Sequence, residues 1–100
     1  MNELEVKGNE YIEEINMYSV HDKKSGYYDI PFCAKNDLFA KRKFIMDIRN
    51  RQSTMLSSFK DDFVLMKLGY FSGNDMEFNR DIKVLIQGKE VENNEISNAT

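Results

Sequence analysis

The chain has 100 residues, 41% of them apolar, with seven Phe, five Tyr and no Trp, and a formal net charge of −3. That length supports one domain with a thin core, and the apolar share excludes a wholly disordered chain. No window approaches the ~20 apolar residues that span a bilayer, no basic-then-apolar leader opens the chain, and a lone cysteine excludes an intrachain disulfide. The expectation is a protein with no membrane partner that stays in the compartment where it is made, with Cys33 as a small buried hydrophobe.

Charge is unevenly placed. Residues 1–15 carry one Lys against five Glu, and residues 61–100 carry four basic against eight acidic side chains. Between them, residues 16–60 carry nine Lys or Arg against four Asp. A basic middle between acidic ends attracts phosphate locally while the whole molecule repels it at long range.

In chain order, residues 1–10 read as a flexible acidic extension, with a short strand possible at 4–7. Residues 11–22 are strand-like: Ile15, Met17 and Ser19 share one face, Tyr18 and Val20 the other. Residues 22–26, Asp-Lys-Lys-Ser-Gly, form a turn that Gly26 closes with positive φ. Residues 27–33 return antiparallel as the second strand of a hairpin. Pro31 lacks a ladder donor, so that strand is an edge strand or stops there. Asn36 and Asp37 are good N-caps for a helix from Leu38 to Arg49 or Asn50. On a helical wheel Leu38, Phe44, Ile45 and Ile48 share an arc that also holds Lys41, leaving Phe39 and Met46 for a second contact.

A polar loop at 50–54 and an ambiguous, short helical segment at 55–60 follow. Residues 62–71 are nearly continuously apolar, as a central strand covered on both faces requires. After a turn at 72–75, residues 80–87 alternate as the last strand, and residues 92–100 read as a disordered tail. The fold class is therefore α+β: an antiparallel sheet of two hairpins with one helix between them packed on one face, over residues 11–91. A strand from the extension would instead give the element order of a small oligonucleotide-binding barrel.

Catalytic chemistry finds little support. His21 is the only histidine and Cys33 has no partner, so His–His and Cys/His metal sites are absent from the sequence. The adjacent pairs Glu13–Glu14 and Asp61–Asp62 point to opposite faces if extended, and the glycines form no phosphate-cradling motif. The expectation is a protein that is not an enzyme and needs no cofactor. Single-stranded nucleic acid is held by basic side chains along its backbone and aromatic rings under its bases. Tyr18, Tyr27 and Tyr28 lie close in sequence to Lys23, Lys24, Lys35, Lys41 and Arg42, and these eight are the candidate nucleic-acid-binding set. Tyr27 and Tyr28 cannot both point inward from a regular strand.

The run Met17-Tyr18-Ser19-Val20-His21-Asp22-Lys23-Lys24-Ser25-Gly26-Tyr27-Tyr28 is followed by Pro31-Phe32, Asn36-Asp37 and Ala40-Lys41-Arg42-x-Phe44. With Asp62-Phe63-x-Leu65-x-x-x-Gly69-x-Phe71, the series resembles the small nonstructural protein of gokushovirus-type microviruses, bacteriophages with circular single-stranded DNA. Cys33, Lys35 and the residues before Met17 depart from that pattern. The resemblance implies a role in viral single-stranded DNA synthesis through binding of single-stranded DNA or viral replication proteins, in the cytoplasm of the infected bacterium. It carries over no catalytic residue. The competing expectation is a protein–protein adaptor or homodimeric interaction module that touches no nucleic acid.

Overall fold

Alternating and continuous apolar runs set out two hairpins, and the computed structural model, which describes residues 14–50, 52 and 54–92, places a helix between them. The elements are β1 (Ile15–Asp22), β2 (Phe32–Ala34), α1 (Asp37–Arg49), α2 (Thr54–Ser58), β3 (Phe63–Phe71) and β4 (Phe78–Gln87). Short 3₁₀ turns precede β3 at Lys60–Asp62 and follow β4 at Gly88–Glu90. The sheet runs β2-β1-β3-β4 with every neighbouring pair antiparallel. It is an open α+β sheet with β2 and β4 as its edges, so the described strands close no barrel. The acidic extension at 1–10, with its expected strand at 4–7, and all but the first residue of the tail at 92–100 lie outside the described residues.

Pro31 acts as its chemistry dictates. It has no N–H for a ladder, and β2 begins only at Phe32, shorter than the expected strand over 27–33. Before the proline, Tyr28 keeps an isolated bridge to His21, and Asp29 N–H donates to the Val20 carbonyl at 2.8 Å. The Ser19 hydroxyl, fully buried, donates to the Asp29 carbonyl at 2.7 Å. Residues 27–31 thus stay tied to β1 without forming a regular strand.

Helix α1 opens where expected, with the Asn36 side-chain oxygen accepting the Phe39 N–H at 3.0 Å. Its buried stripe is Ala40, Phe44 and Ile48, at intervals of four residues. This corrects the expected arc: Leu38 is 60% exposed, while Ala40 is fully buried. A methyl side chain at the crossing point lets the helix backbone approach the sheet, which a hydrophobicity-weighted wheel undervalues.

The core joins that stripe to Tyr18, Leu65 and Val91, with Val20, Phe32 and Phe63 packed alongside. β3 is, with β1, an interior strand, as its apolar run implies, with Val64, Leu65 and Met66 buried in succession. Cys33 is exposed, contrary to expectation: β2 is an edge, and its register sets Cys33 opposite Met17, whose sulfur lies 3.1 Å from its thiol. Among the described residues no helix is long and apolar enough to cross a membrane.

Candidate nucleic-acid interface

The first hairpin's tip is built by Asp22. Its carboxylate accepts the N–H of Lys24 at 2.9 Å and of Ser25 at 3.4 Å, and its carbonyl accepts Gly26 N–H at 2.7 Å. Gly26 takes φ +85° with open space around it, as the turn requires. Desolvation, the largest single influence, raises the Asp22 carboxyl, but the Lys24 and Ser25 donors together outweigh it and hold the group below the usual carboxylate range. The Lys23 N–H donates to the Asp62 carbonyl at 2.8 Å, which pins the tip to the turn before β3.

Held this way, Lys23 and Lys24 are exposed, and neither pairs with a carboxylate among the described residues. Beside them Tyr27 is 77% exposed and Tyr28 48%. The Tyr28 ring packs on His21, with centroids 4.2 Å apart, so one of its faces is used and the rest is open. The irregular backbone before Pro31 is what allows both tyrosines to reach solvent, where a regular strand would turn one inward.

A groove of about 640 Å³ separates this tip from the two helices. Tyr27, Tyr28, Ile30, Pro31 and Phe32 line one wall, Lys43, Asp47, Met55 and Leu56 the other. The Lys43 ammonium sits 5.1 Å above the Phe32 ring and bonds to Asp47 at 2.9 Å. Lys43 and Asp47 also border a shallower depression on the outer face of α1, shared with Phe39, Arg42 and Met46. At the helix start the Lys35 ammonium lies 5.7 Å over the Phe39 ring. One continuous surface therefore runs from the tip past Lys43 to Arg42, Phe39 and Lys35.

Two of the eight expected residues do not belong to this surface. Tyr18 is 0% exposed, its phenol donating to Asp37 at 2.8 Å, and a ring sealed under the helix presents no face to a base. Burial first, then the Asp37 carboxylate, pushes its pKa well above the ordinary tyrosine range. Lys41 is half-buried, and helical periodicity sets it on the flank of α1 opposite to Lys43 and Asp47. Lys23, Lys24, Tyr27, Tyr28, Lys35 and Arg42 are exposed.

Lys43 is the residue that sequence reading missed. Its signal was there: it precedes Phe44, the centre of the buried stripe, so it borders that stripe on one side. The side that faces the hairpin depends on the helix's docking, which periodicity leaves open.

The family described as Phage ORF5 protein matches the chain over residues 15–91. That span runs from the first residue of β1 to the buried Val91. No curated protein and no solved structure matches the chain.

Proposed function

This chain belongs to the Phage ORF5 protein family, and from that premise we propose that it is a non-enzymatic phage protein acting in viral single-stranded DNA synthesis. It does so by holding single-stranded DNA on the first hairpin and the outer face of α1, or by joining the replication complex through the same surface. The resemblance to the gokushovirus-type nonstructural protein supports the process, and with it a microvirus source and the cytoplasm of the infected host. One observation carries the binding mode: two exposed tyrosine rings adjoin a tip whose two lysines pair with no carboxylate among the described residues, on a surface that continues to Arg42 and Lys35. Rings of this kind take stacked bases and the cations track the backbone, without demanding a particular base.

A labelled single-stranded oligonucleotide in a mobility-shift assay tests it. The protein is expected to retard the oligonucleotide at low ionic strength and release it as salt rises. Lys23→Glu with Lys24→Glu abolishes the shift, and Tyr27→Ala or Tyr28→Ala each weakens it about tenfold, as loss of one stacked base would. No retardation at low salt overturns the DNA reading.

The adaptor reading rests on a different observation. Phe39 and Met46, at 46% and 67% exposure, share a depression of about 340 Å³ with Arg42 on the outer face of α1. A helix face with two large apolar side chains in solvent suits a protein contact.

A further inference from the structure

The groove between the hairpin tip and the helices shares Tyr27 and Tyr28 with the DNA surface, but its charged lining is of opposite sign. Its apolar lining includes Ile30, 82% exposed, Met55, 60% exposed, and Tyr27, all held open to solvent. Its charged lining is Asp22 and Asp29 on the hairpin wall, with Asp47 and Lys43 on the helix wall. Lys43 is already neutralised by Asp47, so the groove as a whole is negative. Each carboxylate also keeps acceptor capacity. Asp29 uses one oxygen on the Ile30 N–H at 2.8 Å, and Asp47 uses one on Lys43.

Phosphates are repelled from such a lining, and a cationic partner is drawn to it. We propose that this groove docks a polypeptide segment of another protein in which lysine or arginine residues flank apolar side chains. The apolar side chains bury Ile30, Pro31 and Met55, and the cations reach the carboxylates on the two walls. Its volume falls within the range of built ligand sites, and a few large apolar anchors in a charged rim is how protein contacts concentrate their affinity. The assignment deepens the replication-complex half of the functional reading; the groove shares Tyr27 and Tyr28 with the base-stacking surface but none of Lys23, Lys24, Lys35 and Arg42, on which the phosphate contacts lie.

Fluorescence anisotropy of the full chain tests it with a labelled synthetic peptide of alternating leucine and lysine. The controls are its glutamate-for-lysine and serine-for-leucine counterparts. The leucine–lysine peptide is expected to saturate, with both controls at least about tenfold weaker. Asp29→Asn with Asp47→Asn weakens it by a similar factor. Asp75→Asn with Asp81→Asn, the same charge change away from the groove, leaves it unchanged. Ile30→Asp is the decisive variant because it makes the protein more negative: groove docking predicts weaker binding, and diffuse charge attraction predicts tighter. Tighter binding by that variant, or equal loss in both asparagine pairs, overturns the proposal. So does displacement of the peptide by an oligonucleotide from the Lys23→Glu, Lys24→Glu protein, which would give the groove to nucleic acid. Peptide binding retained in that same variant, with DNA retardation lost, separates this proposal from the DNA reading.

Discussion

Tyr18 and Tyr27 stand on one hairpin and serve opposite ends. The Tyr18 phenol is buried against Asp37, which also lies 3.8 Å from the Lys67 ammonium. Because folding raises the Tyr18 pKa, its contribution is complete below the unfolded tyrosine value of ~10 and is lost as pH climbs towards the higher folded value. Urea unfolding across pH should therefore show stability declining on the alkaline side. Tyr18→Phe should cost about 1 kcal/mol at neutral pH and flatten that decline. Parallel alkaline losses in parent and variant would contradict the assignment. Asp22 works in the other direction. Its folded pKa is depressed, so its contribution is present above the unfolded carboxylate value and is lost as pH falls through the folded one. The hairpin tip, and with it the lysine pair, should loosen under acid.

Among the elements, β3 and β4 show what a sequence states openly and what it hides. The continuous apolar run of β3 announced a central strand, and the sheet order agrees. Hidden was the reason for Gly69. Its φ is +151°, and a Cβ there would meet the Phe78 ring at 2.7 Å and the backbone of Asn79 and Arg80. The register between β3 and β4 shifts next to it, so glycine is demanded by a bulge that pattern reading does not locate. Gly69→Ala should cost about 2–4 kcal/mol in chemical denaturation, from backbone strain and overpacking together. A change under 1 kcal/mol would argue against the close approach.

Helix α1 was legible in its start and length, and less so in its docking. The Asn36 cap is local chemistry, whereas Ala40 owes its burial to a sheet that residues distant in sequence build. The site follows the same division. Asp22, Gly26 and the lysine pair could be read from five consecutive residues. The removal of Tyr18, the opposite flank for Lys41 and the arrival of Lys43 all depend on how the helix sits on the sheet. On α1 the two functional readings also part. If Phe39 and Met46 form a self-association surface, Phe39→Asp should lower the mass seen by light scattering. If that face serves DNA, the mass should stay constant while oligonucleotide affinity falls.

At the scale of the whole molecule, the net charge of −3 argues against a nucleic-acid partner, and the distribution of charge argues for one. The fold resolves this by segregation. The exposed β4 edge carries Arg80, Asp81 and Lys83 in mixed sign, with two register shifts against β3, features that discourage strand addition along that edge. Cations at the hairpin tip and along the outer face of α1 instead adjoin exposed rings on the surface that the groove and the α1 depression share through Lys43 and Asp47. On the proposed reading, the carboxylates that line the groove keep phosphate to the outer positions.

The salt dependence of oligonucleotide affinity tests this arrangement most directly, by fluorescence anisotropy of the parent and of Lys23→Gln with Lys24→Gln. Each phosphate contact on a single strand contributes about 0.7 to the slope of log affinity against log salt. The parent should therefore give a steep negative slope, and the double variant one shallower by about 1.4, with folding unchanged. Equal slopes in the two proteins would contradict the claim that this lysine pair holds the DNA backbone.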